Sequence, residues 1–267
     1  FVMGSNRTRS QMRREERDSR RNNGHDSSKG KSKFQEEREE RAQTKELKPM
    51  SKKQADYLKA LQDPDISVII ALGKAGSGKT ILPVAYACLE LLNNRVYKIA
   101  LSRPAISNSK SLGYFSGPMA EKISLWLTPV LSVIKQYLGS GATEIAIRNE
   151  DITFYPLEII KGLSLSSTDP NKRMYFIVDE AEDLTKDEII KIVTRVGKNC
   201  TLVLAGDVTQ SELKASSGLK WLAEFYQKYD LKGFYHVDFN SFEDIVRSDT
   251  VKNFLIALNR EEKENNK

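Results

Sequence analysis

Apolar runs alternate with amphipathic stretches along most of the chain after residue 50. Short runs of apolar and β-branched residues predict strands buried on both faces of a sheet. These strands are Val68–Leu72, Tyr97–Leu101, Met174–Val178, Thr201–Ala205 and Phe234–Phe239. Helical spacing of apolar residues predicts helices at 51–61, 80–92, 117–138, 186–196, 216–229 and 242–258. The alternation predicts an α/β fold, with a mostly parallel sheet and helices on both of its faces.

One stretch between the second and third predicted strands interrupts this alternation. Residues 144–148 and 152–155 flank the polar triplet Asn149-Glu150-Asp151. Two short runs joined by such a triplet predict an antiparallel hairpin inserted between the core elements.

The first 48 residues have a different composition from the rest of the chain. Residues 1–50 contain 14 Lys and Arg against 9 Asp and Glu, so they carry +5 of the formal charge of +6. With few large apolar side chains, this segment buries too little surface to offset the entropy of ordering. We therefore predict a disordered basic tail over 1–48, a folded domain over 49–258 and a flexible charged C-terminus over 259–267. A basic arm of this kind often contacts nucleic acid, and a solubilising leader is the alternative.

Composition also indicates the cellular compartment and whether the chain has zinc sites or disulfides. Cys88 and Cys200 both lie in apolar surroundings, without a CxxC motif or a Cys/His cluster, so neither a zinc site nor a disulfide framework is indicated. The chain shows neither an apolar run of membrane-spanning length nor a signal-peptide pattern. These features predict a cytoplasmic protein, in the host cytoplasm if it is viral, with no membrane partner.

A glycine-rich motif links the first predicted core strand to the helix after it. It reads G-x-x-x-x-G-K-[ST], the pattern of a phosphate-binding P-loop, and strand–turn–helix is the context that this motif requires. Its glycines let successive N–H groups point at phosphate oxygens, at the positive end of the helix dipole. Lys79 is expected to reach the β- and γ-phosphates and the Thr80 hydroxyl to bind Mg²⁺. The predicted nucleotide-binding residues are Gly73, Lys74, Ala75, Gly76, Ser77, Gly78, Lys79 and Thr80; a glycine-rich turn near a lysine is the alternative.

An acidic pair, Asp179-Glu180, directly follows the predicted strand Met174–Val178. Ligands of doubly wound sheets bind at the carboxyl ends of the strands, which places this pair near the phosphates. Asp179 is expected to hold Mg²⁺ and Glu180 to deprotonate the attacking water. A helix-capping pair is the structural alternative.

A polar loop, Gly206-Asp207-Val208-Thr209-Gln210, follows the next predicted strand. Gln210 in this position is expected to sense whether the γ-phosphate is present. An Asp/Gly turn that merely ends the strand is equally compatible with the spacing.

Taken in order along the chain, these motifs resemble those of PhoH-like proteins. The resemblance covers roughly residues 50–258. Its segments are 73–80, Arg103-Pro104-Ala105, Leu112-Gly113, Gly117-Pro118, Glu121-Lys122, Asp179-Glu180-Ala181-Glu182, Thr194-Arg195-Val196-Gly197, 206–210 and Asp244-Ile245-Val246-Arg247. Two segments depart from the pattern: Glu182 stands where the family usually has glutamine, and Lys161-Gly162-Leu163 stands where Arg-Gly-Arg is common.

The resemblance implies a RecA-like ATPase core that uses ATP and Mg²⁺ and is related to the N-terminal motor domain of superfamily-one helicases. Gln54 resembles the glutamine that reads adenine in such helicases, and Gln210 resembles their γ-phosphate sensor. We nominate Arg247 as a transition-state arginine, acting in cis or on a neighbouring subunit, with an exposed helix arginine as the alternative. Arg103 is a second candidate, for nucleic acid or an interface. The long basic N-terminal tail and the absence of an attached nuclease or RNA-binding module suggest a compact stand-alone form, of the kind frequent in bacteriophages.

Three functions are compatible with these motifs. The first is an ATPase that remodels RNA or single-stranded DNA as a homo-oligomer, such as a hexameric ring, because one RecA-like unit supplies only one wall of the site. The second is a nucleotide-switched binding module with slow hydrolysis and no motor activity. The third, phosphorylation of a small molecule, fits less well, because the acidic pair and the 206–210 loop suit attack by water.

Overall fold

Strands and helices alternate through the computed structural model, which describes residues 46–104, 128–160, 162–241, 244–246 and 249–265. The strands are β1 (Val68–Gly73), β2 (Val96–Ser102), β3 (Ile152–Phe154), β4 (Arg173–Val178), β5 (Cys200–Gly206) and β6 (Phe234–Phe239). The α-helices are α1 (Lys52–Gln62), α2 (Ile81–Leu92), α3 (Thr128–Leu138), α4 (Ser140–Arg148), α5 (Leu157–Ile160), α6 (Lys186–Val193), α7 (Gly218–Tyr229) and α8 (Asp249–Asn265). The five strands predicted from the apolar runs are thus confirmed to within a residue at each end.

The six strands form one sheet in the order β3-β2-β4-β5-β1-β6. All five pairings between neighbours are parallel, so the carboxyl ends of the strands meet at one edge. β1 and β4, which lead into the P-loop and the acidic pair, are separated by β5. The predicted fold class, an α/β fold with a mostly parallel sheet and helices on both of its faces, is confirmed.

Alternate residues of the four central strands, β2, β4, β5 and β1, enter two apolar cores, one on each face of the sheet. In β1, Ile69 and Ala71 pack into the core that also contains side chains of α1, α2 and α3. Val68, Ile70 and Leu72 pack into the opposite core, with side chains of α6 and α7. Burial on both faces explains why these strands are continuous apolar runs and can be recognised in the sequence.

The predicted antiparallel hairpin is wrong. Residues 144–148 form the end of helix α4, and Ile152–Phe154 is strand β3, which pairs in parallel with β2 at the edge of the sheet. Helix α4 buries Thr143 and Ala146, three residues apart, whereas Ile147 is exposed. The apolar residues near the polar triplet therefore belong to a helix with a short buried stripe, a pattern that a short window does not distinguish from a strand.

The predicted domain limits fall only partly within the described residues. Residues 1–45 of the predicted tail and 117–127 of the predicted helix 117–138 lie outside the described residues. Leu47, placed at the end of the tail by composition, packs against the first apolar core. Helix α8 continues to Asn265, past residue 258 where the folded domain is predicted to end.

Cys88 and Cys200 are both buried free thiols. Burial raises the pKa of each thiol to about 12, so both stay protonated at neutral pH. Within the described residues, no helix is both long and apolar enough to cross a membrane.

The contact between the starts of α6 and α7 yields a test of the fold. The Gly218 N–H donates to the Leu184 carbonyl at 2.7 Å, and a Cβ at Gly218 would lie 2.5 Å from the Thr185 carbonyl group. Gly218→Ala must therefore push two backbones apart, and we expect it to lower the free energy of unfolding by about 1–3 kcal/mol. The control is Gly141→Ala in α4, where an added Cβ meets no atom within 4 Å; alanine there should be neutral or stabilising by up to about 1 kcal/mol. Urea unfolding measures both, and equal stability of the two variants would contradict the packing.

Candidate active site

A cavity of about 500 Å³ opens at the carboxyl edge of the sheet. The P-loop, the acidic pair and the 206–210 loop all contribute to its lining. The predicted site residues that line it are Gln54, Ala75, Gly76, Gly78, Lys79, Thr80, Asp179, Glu180 and Gln210. Gly73 ends β1, Lys74 follows it, and Ser77 is fully buried. Arg247 lies outside the described residues.

The P-loop has the backbone conformation that its glycines predict. Gly76 and Gly78 have φ angles of +90° and +88°, a region that residues with a Cβ rarely adopt. Helix α2 begins at Ile81, directly after the loop, so the positive end of its dipole lies beside the cavity. The loop therefore has the shape and the electrostatics of a phosphate site.

The side chain of Lys79 lies along the loop. Its Nζ donates to the carbonyl oxygens of Gly73 at 2.6 Å and of Lys74 at 2.9 Å. The Ser77 hydroxyl donates to the same Lys74 carbonyl at 3.0 Å. The ammonium group is thus held close to the loop amides, where it can bind a phosphate by a short movement.

The Thr80 hydroxyl donates a hydrogen bond to Oδ1 of Asp179. Asp179 is fixed at the end of β4, where its N–H donates to the Ser102 carbonyl on β2 at 2.9 Å. A hydroxyl beside a carboxylate is the hard oxygen pair that Mg²⁺ prefers, with water and phosphate oxygens completing its shell. The chemistry of these two residues, with the glycine loop beside them, fits Mg²⁺ and a nucleoside triphosphate.

Glu180 adopts a backbone conformation that is rare for a residue with a side chain. Its φ and ψ angles are 51° and 39°, in the left-handed region. Such a conformation costs of order 1–3 kcal/mol and occurs most often at functional sites. The strain at Glu180 agrees with a role for its carboxylate in chemistry beyond the capping of a helix.

Arg103 is the cationic partner of the acidic pair. Its guanidinium forms an ion pair with Glu180 and lies 3.9 Å from Oδ2 of Asp179. Arg103 directly follows β2, the neighbour of β4 in the sheet, which brings it to the same edge. The sequence analysis expected Arg103 to contact nucleic acid or an interface. It did not predict the ion pair with Glu180, because the order of the strands is not visible in the sequence.

The 206–210 loop is a turn organised by the carboxylate of Asp207, which is 5% exposed. Oδ1 accepts from the Thr209 N–H at 3.1 Å and from the Thr209 hydroxyl at 2.6 Å. Oδ2 accepts from the side-chain amide of Gln210 at 2.8 Å. Gln210 thus lines the cavity with its amide held on Asp207, and its role as a γ-phosphate sensor stays a prediction.

Glu182 joins the acidic segment to the loop after β5. Its main-chain carbonyl accepts from the hydroxyls of Ser211 and Ser217, both at 2.8 Å. Its carboxyl is buried, and burial raises its pKa to about 7, with a contribution from the negative charge of Glu180. A carboxyl that is largely protonated below neutral pH resembles, in charge, the glutamine that the resemblance to PhoH-like proteins leads us to expect at this position.

Comparison with known proteins gives the chain a family context. Residues 46–259 match the family model described as PhoH-like protein. The PhoH-like protein of Bacillus subtilis (strain 168) is 30% identical over 226 residues, which cover 84% of this chain and 66% of that protein. Protein PhoH of Escherichia coli (strain K12) is 31% identical over 199 residues, covering 73% of this chain and 53% of that protein. The chain therefore spans about half to two thirds of the length of these relatives.

Solved structures with a similar arrangement of elements are more distant. The large terminase from a thermophilic bacteriophage has a TM-score of 0.46 and 13% identity, covering 78% of this chain and 50% of that one. The UvsW helicase from bacteriophage T4 has a TM-score of 0.41 and 14% identity, covering 73% of this chain and 61% of that one. Scores and identities at this level carry no argument about substrate or activity.

The buried Glu182 carboxyl yields a prediction about stability and pH. Its pKa rises on folding from the ordinary 4.5 to about 7, so between these values the folded chain keeps a proton that the unfolded chain has lost. The stability contributed by this group is complete below pH 4.5 and is lost as the pH rises to 7, by about 3 kcal/mol in total. In Glu182→Gln this loss is absent. We expect the stability advantage of the variant over the wild type to be about 2–3 kcal/mol larger at pH 8 than at pH 5.

Urea unfolding of both proteins at the two pH values measures this difference. The matched control is Glu224→Gln, which removes an exposed carboxylate from α7. An advantage of Glu182→Gln that is the same at both pH values would show that the Glu182 carboxyl is not buried in this way.

Proposed function

The chain belongs to the PhoH-like protein family, and from this premise we propose that it is a Mg²⁺-dependent ATPase that remodels RNA or single-stranded DNA. The observation that carries the ATPase part is the convergence of the P-loop, the Thr80–Asp179 pair and the strained Glu180 on one cavity. Each of these features alone has a structural explanation. Their meeting at the edge of a parallel sheet is what a hydrolytic nucleotide site requires.

The chemistry follows from the positions of these groups. The P-loop amides and Lys79 hold the triphosphate, and Thr80 and Asp179 hold Mg²⁺, which neutralises charge on the phosphates when bound. Glu180 accepts the proton of the attacking water. Arg103, paired with Glu180, holds that carboxylate at the edge of β4, so the pair must loosen before Glu180 can accept a proton. Gln210, held on Asp207 in the same lining, changes partner when a γ-phosphate is present.

The nucleic-acid part of the proposal is supported by charge. The excess of +5 in residues 1–50 is a suitable counter-charge for a phosphate backbone. The resemblance of the core motifs to those of helicase motor domains supports the same partner. Under this proposal the tail supplies affinity for nucleic acid, and ATP hydrolysis in the nucleotide cavity supplies the free energy for remodelling.

We further propose that the active form is a homo-oligomer in which a neighbour completes the site. Arg247 is the nominated transition-state arginine, acting in cis or on a neighbouring subunit, and Val246, the residue before it, donates its N–H to the Gly76 carbonyl of its own P-loop at 3.2 Å. Val246 itself lines the nucleotide cavity. Light scattering combined with an ATPase assay tests the oligomer, and a strict monomer with full activity would exclude it.

Two substitutions separate binding from hydrolysis. Lys79→Ala removes the ammonium that compensates the phosphate charge, and we expect loss of tight ATP binding. Glu180→Gln keeps the shape of the base but cannot accept the proton, and we expect it to bind ATP while hydrolysis falls by about 10²–10⁴-fold. Binding of a fluorescent ATP analogue and phosphate release measure the two steps. Wild-type turnover in Glu180→Gln would rule out its assignment as the base.

The experiment that best tests the whole function is an ATPase assay with and without RNA and single-stranded DNA. We expect nucleic acid to stimulate hydrolysis, because a motor couples ATP hydrolysis to its action on nucleic acid. Removal of residues 1–45, which leaves Leu47 on the core, should preserve basal hydrolysis and flatten the salt dependence of nucleic-acid binding. Slow hydrolysis that nucleic acid does not change would favour the nucleotide-switched binding module.

A further inference from the structure

The side-chain amide of Gln54 lies against the P-loop, and both of its polar atoms form hydrogen bonds with main-chain groups. It is only 3% exposed. Its Nε2 donates to the Ser77 carbonyl at 2.9 Å, and its Oε1 accepts from the Met50 N–H at 2.8 Å. The amide also packs against Gly78, where an added Cβ would lie 3.0 Å from Nε2. This side chain is therefore built into the support of the loop.

Tyr57, three residues further along α1, contacts the loop in the same way. It is fully buried, and its hydroxyl donates to the Lys79 carbonyl at 2.9 Å. Its ring packs edge-on against Phe239 of β6, with centroids 5.9 Å apart, which fixes the hydroxyl in place. Gln54 and Tyr57 thus bind the two loop carbonyls on either side of Gly78.

A hydrogen bond to a loop carbonyl also sets the direction of a loop amide. The peptide group is planar and trans, so the C=O of one residue and the N–H of the next point in opposite directions. The bond from Gln54 to Ser77 therefore orients the N–H of Gly78, and the bond from Tyr57 to Lys79 orients the N–H of Thr80. Amides of this loop are the groups that cradle phosphates.

We propose that Gln54 is a positioning residue for the phosphate-binding amides and that it does not select the nucleobase. This inference rests on the proposed function, since it assumes that the loop binds a triphosphate. It replaces the adenine-reading role implied by the resemblance. A residue that orients the loop acts on the triphosphate, which all nucleoside triphosphates share.

The two roles predict different patterns of affinity. Loss of an adenine reader weakens ATP but leaves GTP and inorganic tripolyphosphate unchanged. Loss of a loop-positioning residue weakens all three ligands by the same factor, because each one binds the same amides. Tripolyphosphate is the decisive ligand, since it has no base to be read.

The experiment is calorimetric titration of the full chain with ATP, GTP and tripolyphosphate in the presence of Mg²⁺. We expect Gln54→Ala to weaken all three by a similar factor of about ten, the effect of losing roughly one hydrogen bond. Gln54→Glu keeps the shape but cannot donate to the Ser77 carbonyl, so it should weaken all three at least as much. Tyr57→Phe, which removes only a hydroxyl, should give the same uniform pattern and tests the mechanism if the Gln54 variants fold poorly. The matched control is Lys52→Ala, on the exposed side of α1, which should leave the affinities unchanged.

Each outcome decides between the roles. A loss confined to ATP would assign Gln54 to the base and overturn the proposal. A lower melting temperature with unchanged affinities, measured well below that temperature, would reduce Gln54 to a purely structural residue and also overturn it. If the wild type binds none of the three ligands, the proposed function itself fails, an outcome that is separate from both.

Discussion

The carbonyl oxygens of the P-loop are the groups on which the arrangement of the site depends. A loop that turns its N–H groups towards a ligand must turn carbonyls towards the protein, and buried carbonyls need donors. One donor, Lys79, lies within the loop, and the others come from distant parts of the chain: Gln54 and Tyr57 on α1, and Val246 after β6. The need to satisfy these few oxygens therefore explains why the first helix and the segment after the last strand both converge on the loop.

The order of the strands sets how the other catalytic groups meet the loop. Because β5 lies between β1 and β4, the hydrogen bond from Thr80 to Asp179 joins two segments whose strands are not neighbours. At the end of β5 the acidic segment packs closely on Gly206, where there is no room for a side chain, since a Cβ there would lie 2.3 Å from Oε2 of Glu182. The two serine hydroxyls on the Glu182 carbonyl tie the acidic segment to the segment after β5. The acidic segment is therefore joined by side-chain hydrogen bonds to the chain that follows the Asp207 turn.

Features of the fold and the site that depend on adjacent residues could be predicted from the sequence. The core strands are apolar on both faces, and the P-loop and the acidic pair follow their strands directly, so each could be predicted from a few adjacent residues. Strand β3 and helix α4 were mistaken for a hairpin because edge elements bury only a few side chains, such as Thr143 and Ala146. The pairing of Arg103 with Glu180 could not be predicted, because it depends on β2 lying next to β4. The position of Gln54 likewise depends on how α1 packs against a loop more than twenty residues away.

Three acidic residues at the carboxyl edge of the sheet, here called the acidic edge, have features that lower the stability of the fold. Glu180 has a strained backbone, Glu182 is a buried carboxyl with a raised pKa, and Asp207 is buried close to both. Each of these costs free energy that the two apolar cores must offset. Residues that lower stability in this way occur where function requires them. By contrast, the central strands β1 and β5 are apolar and buried along their whole length. Arg103 offsets part of the charge of this edge, because its guanidinium faces the carboxylates of Asp179 and Glu180. Asp179, which lies beside these residues and accepts from the Thr80 hydroxyl, supplies the carboxylate oxygens that a site for Mg²⁺ needs, so the acidic edge combines strained and buried groups with a carboxylate suited to a metal-bound triphosphate.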